Sequence, residues 1–205
     1  MLEIIQAGTP EQIAIAREMM LEYATWLEFN LCFQGFEEEM RTLPGKYALP
    51  AGRLLLALWE EKPAGVIALR PLAEQGPAVC EMKRLFVRQE FRGHGIGRAL
   101  AERVIAEAAE MGYERMRLDT IPGKMDSAIA MYREMGFAEI APYYKTPVSQ
   151  TLFMELALYP STSKDRASIE NSGSHPTIGK NRTRVGDPGS HPTTRKNRTR
   201  VGDPG

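Results

Sequence analysis

Hydrophobic positions along residues 2–158 follow two spacings, about 3.6 residues and two residues, which predict helices and strands in turn. The clearest helix carries Ile96, Leu100, Val104 and Ala108 on one face, and Gly112 follows its end as glycine typically does. Helices are predicted over residues 9–27, 37–43, 95–111 and 125–135. Strands are predicted over residues 2–7, 53–60, 64–71, 79–87, 115–120, 137–141 and 151–158, with a hairpin turn at 61–63. The order β-αα-βββ-α-β-α-ββ indicates an α/β fold with helices over both faces of a mixed sheet.

The first helix has a clear start signal. Thr9 is a favoured N-cap, Pro10 suits the first helical position, and Gln12 completes a capping box. We therefore expect this helix to begin at Pro10 and to run to about Leu27.

Charge divides the chain into a body and a tail. The 205 residues hold 26 basic and 26 acidic side chains; residues 1–160 hold 17 basic and 22 acidic ones, and residues 161–205 hold 9 and 4. The tail contains two 16-residue repeats, 173–188 and 189–204, with very few apolar side chains. That content is too low to offset the entropy of ordering the chain. We expect a folded domain over residues 1–160 and a basic, repeated, disordered tail over 161–205.

Three interpretations of the tail compete. Two Lys-Asn-Arg-Thr-Arg segments begin at Lys180 and Lys196 and suggest a nucleic-acid-binding arm, but no aromatic side chains interleave them for base stacking. Asn181 and Asn197 fit glycosylation sequons, which matter only in a secreted protein. An appended extension without its own function is the interpretation we prefer, so no nucleic-acid partner is expected.

Cysteines and apolar runs argue against several protein classes. Cys32 and Cys80 are the only cysteines and form no C-x-x-C pair, so no zinc or redox motif is expected. The densest apolar run, residues 54–59, is far shorter than the roughly 20 residues that span a bilayer. No basic, apolar leader is recognisable after Met1. We expect a cytoplasmic protein with no membrane partner and no metal.

A glycine-rich turn between a strand and a helix carries the sharpest chemical signal. It reads Arg92-Gly93-His94-Gly95-Ile96-Gly97-Arg98. Glycines allow positive φ and a close approach of ligand to backbone, and the free N–H groups that begin the next helix favour a phosphate. A turn that only packs helix on strand stays an alternative. So does a dinucleotide site, whose third glycine would lie one position later and whose ribose-binding acid would be Asp119. A Walker loop is excluded because Gly-Lys-Ser/Thr is missing.

Two motifs together resemble the GNAT acyltransferase superfamily. Val87 and residues 92–97 are similar to its acetyl-CoA signature R/Q-x-x-G-x-G/A, and residues 128–137 are similar to its motif A-x-x-L-Y-x-x-x-G-F. The resemblance covers about residues 2–158 and implies a mixed, mostly antiparallel sheet. It also implies transfer of an acetyl group from acetyl-CoA to a primary amine of a small molecule or a protein. A non-catalytic acyl-CoA-binding sensor module is the alternative.

The resemblance implies a set of cofactor-binding residues. The pantetheine arm would pair with the backbone of three strand residues, Leu85, Phe86 and Val87. The pyrophosphate would be held by the whole turn from Arg92 to Arg98. Met125 stands where many members have an asparagine that touches the pantetheine, and the polar side chains of Asp126 and Ser127 follow it.

The resemblance also implies two catalytic residues. Tyr132 matches the tyrosine that protonates the departing CoA thiolate. Glu81 matches the strand carboxylate that serves as the base; strict alternation would place it on one face with Lys83 and Leu85, where desolvation raises a carboxyl pKa. A salt bridge to Lys83 or Arg117 is the structural alternative for Glu81, and simple packing is the alternative for Tyr132.

Signals for the acceptor are weaker. Aromatic side chains crowd the first helix and the loop after it, where this fold builds its acceptor wall: Tyr23, Trp26, Phe29, Phe33 and Phe36. Tyr143 and Tyr144 precede the last strand and could close the site. No acceptor is predicted beyond a small-molecule or protein amine, and a homodimer is left open.

Overall fold

The computed structural model describes residues 1–27 and 35–158. These residues form seven strands: β1 (Leu2–Gln6), β2 (Arg53–Trp59), β3 (Lys62–Pro71), β4 (Val79–Val87), β5 (Arg115–Thr120), β6 (Ala138–Ile140) and β7 (Leu152–Ala157). They also form four α-helices: α1 (Pro10–Leu27), α2 (Phe36–Thr42), α3 (Ile96–Glu110) and α4 (Asp126–Glu134). This order confirms the predicted fold class, because every predicted strand and α-helix is present and the ends of each differ from the prediction by at most two residues. Three short 3-10 helices, Gly45–Tyr47, Ala73–Gln75 and Gln89–Phe91, were not predicted. The predicted tail at 161–205 lies outside the described residues.

One seven-stranded sheet runs through the domain in the order β1-β2-β3-β4-β5-β7-β6. Neighbouring strands are antiparallel at every junction except β4–β5, which is parallel. The expectation of a mixed, mostly antiparallel sheet is therefore confirmed. The single parallel junction lies near the middle of the sheet, and the site is built there.

Two hydrophobic cores cover the opposite faces of the sheet. Leu55 belongs to one core while its strand neighbours Leu54 and Leu56 belong to the other, as the alternation of side chains along a strand requires. The first core packs the apolar stripe of α3 and buries Tyr132 of α4. The second core packs α1 and α2, with Met19 among its fully buried side chains. Helices thus cover both faces of the sheet, as expected.

The start of α1 follows its local signal. The backbone N–H of Gln12 donates to Thr9 Oγ1 (3.3 Å), and the side-chain oxygen of Gln12 accepts from the N–H groups of Gly8 and Thr9 (2.9 and 3.1 Å). The predicted capping box is therefore present, and Pro10 is the first helical residue. Among the described helices, none is both long enough and apolar enough to cross a membrane.

The turn between β2 and β3 differs from the prediction of residues 61–63. Lys62 and Pro63 belong to β3 and pair with Trp59 and Leu58. Glu60 and Glu61 are the turn residues, with φ of 49° and 67°. Two left-handed residues suit a two-residue hairpin, because that turn matches the twist of the strands.

A bulge in β4 changes which face its side chains meet. Ala68 of β3 pairs with Lys83 and Val66 pairs with Phe86, so two residues of β4 oppose one residue of β3. Arg84, within the bulge, has a φ of 59°. The prediction that Glu81, Lys83 and Leu85 share one face is wrong for Leu85, which packs against the first core, because the extra residue reverses the alternation.

Candidate active site

Strands β4 and β5 separate and open a cleft in the sheet. They pair only between residues 79–81 and 115–117, although β4 continues to Val87. Beyond Glu81, the edge of β4 that faces β5 has no strand partner among the described residues. An unpaired strand edge can pair with an extended ligand through its backbone groups.

An open groove of about 510 Å³ runs along this edge to the start of α3. Nine of the ten predicted cofactor residues line it, namely Leu85, Phe86, Val87, Arg92, Gly93, Gly95, Ile96, Gly97 and Arg98. His94 is the exception: its ring packs against Trp59, 4.8 Å between ring centroids, and its Nδ1 lies 3.3 Å from the Phe91 carbonyl oxygen. The sequence therefore located the turn, while the direction of the His94 side chain depends on Trp59, a residue of β2.

The turn presents free backbone donors to the groove. Gly93 and Gly95 have φ of 85° and 74°, and a Cβ added at either residue would meet no protein atom within 4 Å. Glycine is thus required there by backbone conformation. Gly95 caps α3 without a side-chain hydrogen bond, and its carbonyl accepts the first helical bond from Ala99 (3.0 Å). The N–H groups of Ile96 and Gly97 consequently have no partner within the helix, which suits a phosphate.

Trp26 and Lys124 also line the groove, and the sequence did not assign either to the cofactor. The Trp26 ring lies 5.3 Å from the guanidinium carbon of Arg92 and 5.3 Å from Lys124 Nζ. The sequence predicts Trp26 for an acceptor wall; helical spacing places it beside Tyr23 but does not say which cavity it meets. Lys124 has no local signal. Arg98 forms an ion pair with Glu134, so its charge is partly neutralised.

A small inner cavity of about 60 Å³ adjoins the groove. The two share Leu85, Met125 and Ala128 as lining residues. The ionisable side chains that line the cavity come from five parts of the chain: Tyr23, Lys83, Arg84, Asp119, Tyr132 and Tyr144. The cavity therefore combines apolar walls with two cations, one carboxylate and three phenols.

Tyr132 is buried and faces this cavity. Its ring packs 5.6 Å from the Phe137 ring, between centroids. Within the described ranges, no protein group forms a hydrogen bond with the Tyr132 hydroxyl. The hydroxyl oxygen is not one of the fully buried polar atoms, since none of those in the described residues lacks a hydrogen-bond partner. Burial raises the pKa of the Tyr132 phenol above its ordinary value of 10.0, so the group holds its proton at neutral pH.

Glu81 is fully buried and lines neither space. Its Oε2 accepts a hydrogen bond from Arg70 Nε (2.6 Å), its Oε1 accepts one from the Tyr143 hydroxyl (2.8 Å), and Lys83 Nζ lies 3.8 Å away. The ion pair to Lys83, which the sequence left as the structural alternative for Glu81, is therefore present, whereas Arg117 pairs with Glu155. The role of Glu81 as a base stays a prediction.

Met125 stands where many family members have an asparagine, and its contacts differ from those of Asp126 and Ser127. Met125 lines both groove and cavity, and its sulphur accepts a hydrogen bond from Thr120 Oγ1 (3.3 Å). Ser127 lines the groove, but Asp126 accepts the N–H of Gly123 (2.7 Å) and lies outside the lining. Ser127 is thus the polar side chain available to a ligand.

The remaining residues named in the sequence analysis lie in several different places. Tyr23 lines the inner cavity, while Phe36 belongs to the second core. Phe29, Phe33 and Cys32 lie outside the described residues. In the part of the chain that the structure describes, no group of three His, Cys, Asp or Glu side chains could hold a metal ion.

Comparison with known proteins shows the family of the chain. The sequence model of the acetyltransferase (GNAT) family matches residues 18–137. The chain belongs to this family. An N-acetyltransferase of Dictyostelium discoideum, described as uncharacterised, is 31% identical over 197 residues, which covers 68% of this chain and 91% of that protein. An N-acetyltransferase of Schizosaccharomyces pombe, also described as uncharacterised, is 33% identical over 154 residues, covering 75% and 93%.

Solved structures agree on the fold. The crystal structure of a GNAT-family acetyltransferase from Staphylococcus aureus Mu50 has a TM-score of 0.62 to this chain at 22% identity, covering 77% of this chain and 99% of that one. GNAT acetyltransferases generally take the acetyl group from acetyl-CoA. This GNAT chain is accordingly an acyl-CoA-dependent N-acetyltransferase, and a silent sensor module is not favoured.

Proposed function

We propose that acetyl-CoA lies along the groove with its thioester at the inner cavity, where the acetyl group passes to a primary amine of a small molecule or protein. The continuity of the two spaces carries this proposal. Groove and cavity meet at Leu85, Met125 and Ala128, with the glycine turn at one end and Tyr132 at the other. A ligand with a pyrophosphate, a narrow arm and a reactive thioester fits that sequence of surroundings.

The groove offers binding groups for each part of the cofactor. Free N–H groups at the start of α3, with the charge of Arg92, would hold the pyrophosphate. The unpaired edge of β4 would pair with the pantetheine amides through the backbone of Leu85 and Phe86. The Val87 carbonyl already accepts a hydrogen bond from Arg92 Nε (3.1 Å), so it contributes less.

The inner cavity offers the acid that the reaction needs. When the amine nitrogen attacks the thioester carbon, the C–S bond breaks and the thiolate needs a proton. Tyr132 borders the cavity, is protonated, and has no hydrogen bond within the described ranges to weaken its donation. We infer that Tyr132 supplies this proton.

An acetyl-CoA consumption screen tests the proposed function. Release of free CoA would be followed with phenethylamine, benzylamine, glycinamide, spermidine and a lysine-containing peptide. At least one amine should accelerate release at least tenfold over acetyl-CoA alone, and mass spectrometry should show the acetylated amine. A protein that binds acetyl-CoA in calorimetry but acetylates nothing across wider panels would support the sensor module.

Location and assembly stay predictions from the sequence. We propose a cytoplasmic enzyme and leave a homodimer open. Sedimentation of the full chain at assay concentration distinguishes a monomer from a dimer.

A further inference from the structure

Two carboxylates lie near each other in the sheet, but only one reaches the site. Glu81 is on β4 and Asp119 is on β5, and Lys83 lies between them: its Nζ is 2.6 Å from Asp119 Oδ1 and 3.8 Å from Glu81 Oε1. Asp119 lines the inner cavity with Tyr132, and its side chain is 16% exposed. Glu81 lines no part of the cavity and is 1% exposed. Of these two carboxylates, Asp119 is therefore the one that borders the inner cavity.

The contacts of Glu81 instead hold a loop. Tyr143, whose hydroxyl donates a hydrogen bond to Glu81, lies between β6 and β7, and its ring centroid is 5.4 Å from that of Tyr144 and 5.0 Å from that of Phe153. The guanidinium of Arg117 lies 5.3 Å from the same ring. Tyr144, the next residue, lines the inner cavity. Glu81 thus anchors the residue beside the cavity wall.

The surroundings of Asp119 keep it ionised. Burial opposes its charge, but Lys83, Arg84 and a hydrogen bond from Tyr144 outweigh burial and hold the pKa of the carboxyl below 3.8. A carboxylate of this kind accepts hydrogen bonds from an amine well, yet it retains a proton poorly at neutral pH. The phenols of Tyr23 and Tyr132 also face the cavity, and burial raises the pKa of both.

We propose that Asp119 receives and orients the acceptor amine, whereas Glu81 is a positioning residue that holds the Tyr143–Tyr144 segment as the cavity wall. This inference rests on the proposed acetyl transfer. The acceptor ammonium loses one proton to solvent, and the neutral amine donates an N–H hydrogen bond to Asp119. Its lone pair forms the C–N bond and the C–S bond breaks. The second N–H proton leaves past Asp119 to solvent, and the thiolate takes the Tyr132 proton, which solvent restores.

Matched charge-neutralising variants test this division of roles. Asp119→Asn should lower kcat/KM for the best amine of the panel by roughly 10- to 100-fold, the worth of one hydrogen bond to a charged group, with acetyl-CoA affinity in calorimetry unchanged. Glu107→Gln is the control, because Glu107 forms a similarly buried ion pair with Arg53 and lines neither space. A folded Asp119→Asn with wild-type kcat/KM overturns the proposal. If it does not fold, Lys83→Met/Asp119→Asn removes both members of the ion pair and leaves no unpaired buried cation; wild-type kcat/KM in that folded double variant overturns the proposal equally.

Glu81 and Tyr143 should behave as one unit. Glu81→Gln and Tyr143→Phe should each raise the amine KM about three- to tenfold while kcat changes less than threefold, and the double variant should be no worse than either single one. A loss of turnover in Glu81→Gln alone by the factor typical of a missing general base, roughly 100-fold or more, would restore Glu81 as the base and overturn the proposal.

The pH profile separates the two carboxylates further. In the wild type the acidic limb of kcat/KM should move with the pKa of the amine used, because Asp119 is already ionised. If the acidic limb of kcat/KM occurs at the same pH for every amine and disappears in Glu81→Gln, the proposal is contradicted. If acetyl-CoA binds but no panel amine is acetylated, thermal-shift titration of the same amines still decides: the rise in melting temperature on adding amine should be lost in Asp119→Asn and kept in Glu107→Gln. An equal rise in both variants overturns the inference.

Discussion

At the scale of single residues, the site depends on groups whose protonation and backbone conformation are set by burial. Tyr132 is enclosed by the first core, and that enclosure keeps its phenol protonated. Gly95 has a left-handed backbone at the start of α3 and opens onto space. The proposed proton donor and the proposed phosphate-binding turn can therefore be tested separately.

Replacement of Tyr132 by Phe should remove the proton while keeping the ring packed against Phe137. We expect kcat to fall by about 10²–10⁴, the usual contribution of a general acid, with acetyl-CoA affinity nearly intact. Because burial raises the pKa of Tyr132 above 10.0, the wild-type rate should show no loss from this group between pH 7 and about pH 9.5. Stopped-flow measurement of CoA release checks both; a fully active Tyr132→Phe would remove the acid from the mechanism.

Replacement of Gly95 by Val should abolish acetyl-CoA binding in a folded protein. A β-branched residue tolerates a φ of 74° poorly, so the turn should lose the conformation that presents its N–H groups. Calorimetry measures the affinity, and circular dichroism checks the fold. Gly112→Val is the control, because Gly112 has a similar φ of 85° at the other end of α3; unchanged affinity in folded Gly95→Val would contradict the phosphate-binding turn.

At the scale of elements, a buried ion pair ties α2 to the bulge in β4. Arg84 donates to both oxygens of Glu39 (2.9 and 2.8 Å), and Tyr47 donates to Glu39 Oε1 (2.9 Å). Burial alone would lower the pKa of Arg84 and raise that of Glu39, but their attraction reverses both shifts. The pair holds the bulge that changes the alternation of β4 just before Leu85.

Neighbouring glutamates on α2 allow a matched stability test. Glu39→Ala removes the carboxylate that neutralises a buried guanidinium and should cost about 3–5 kcal/mol, which lowers the melting temperature by roughly 6–20 °C. Glu38→Ala breaks an exposed ion pair with Arg41 and should change the melting temperature by less than about 2 °C. A similar fall in melting temperature in both variants would show that the buried ion pair stabilises the fold no more than the exposed one.

Acidification should remove the contribution of the Glu39–Arg84 pair. The folded pKa of Glu39 lies below its ordinary 4.5, so the pair stabilises fully above that pH and is lost as pH falls through the folded value. The difference in melting temperature between wild type and Glu39→Ala should therefore narrow below about pH 4.5. A difference that widens on acidification contradicts this assignment.

At the scale of the whole molecule, the described domain is a complete two-faced sheet. Its cores use residues from Ala7 to Leu158, and the cleft opens where β4 and β5 part. The basic segment at 161–205 follows this domain and has few apolar side chains. The stability of the domain should therefore be independent of that segment.

Deletion of residues 161–205 should leave the melting temperature and acetyl-CoA affinity unchanged. A fall of more than about 4 °C, roughly 1 kcal/mol or more for a domain of this size, would show that the segment packs on the domain. Loss of acetyl-CoA affinity without a fall in melting temperature would show that the segment contributes to acetyl-CoA binding. Salt-dependent DNA binding by the isolated segment would favour the nucleic-acid arm.

The sequence by itself determined the order of the elements and the glycine turn. Each depends on a local pattern: periods of 2 and 3.6 residues, a capping box before α1, and glycines before α3. Local patterns act over a few residues, so they hold before any tertiary contact forms.

Only the tertiary structure decided which carboxylate meets the site. One extra residue near Arg84 turns Leu85 away from the face of Glu81, and no sequence period signals such a bulge. Tyr143 reaches Glu81 across 62 positions of the chain, and Lys83 reaches Asp119 across 36. The sequence singled out Asp119 only because its spacing from the glycine turn suits a ribose-binding acid. In the structure, β4 and β5 separate, and Asp119 lines the same cavity as Tyr132. Contacts between distant strands set the direction of a side chain, and a local pattern contains no information about them.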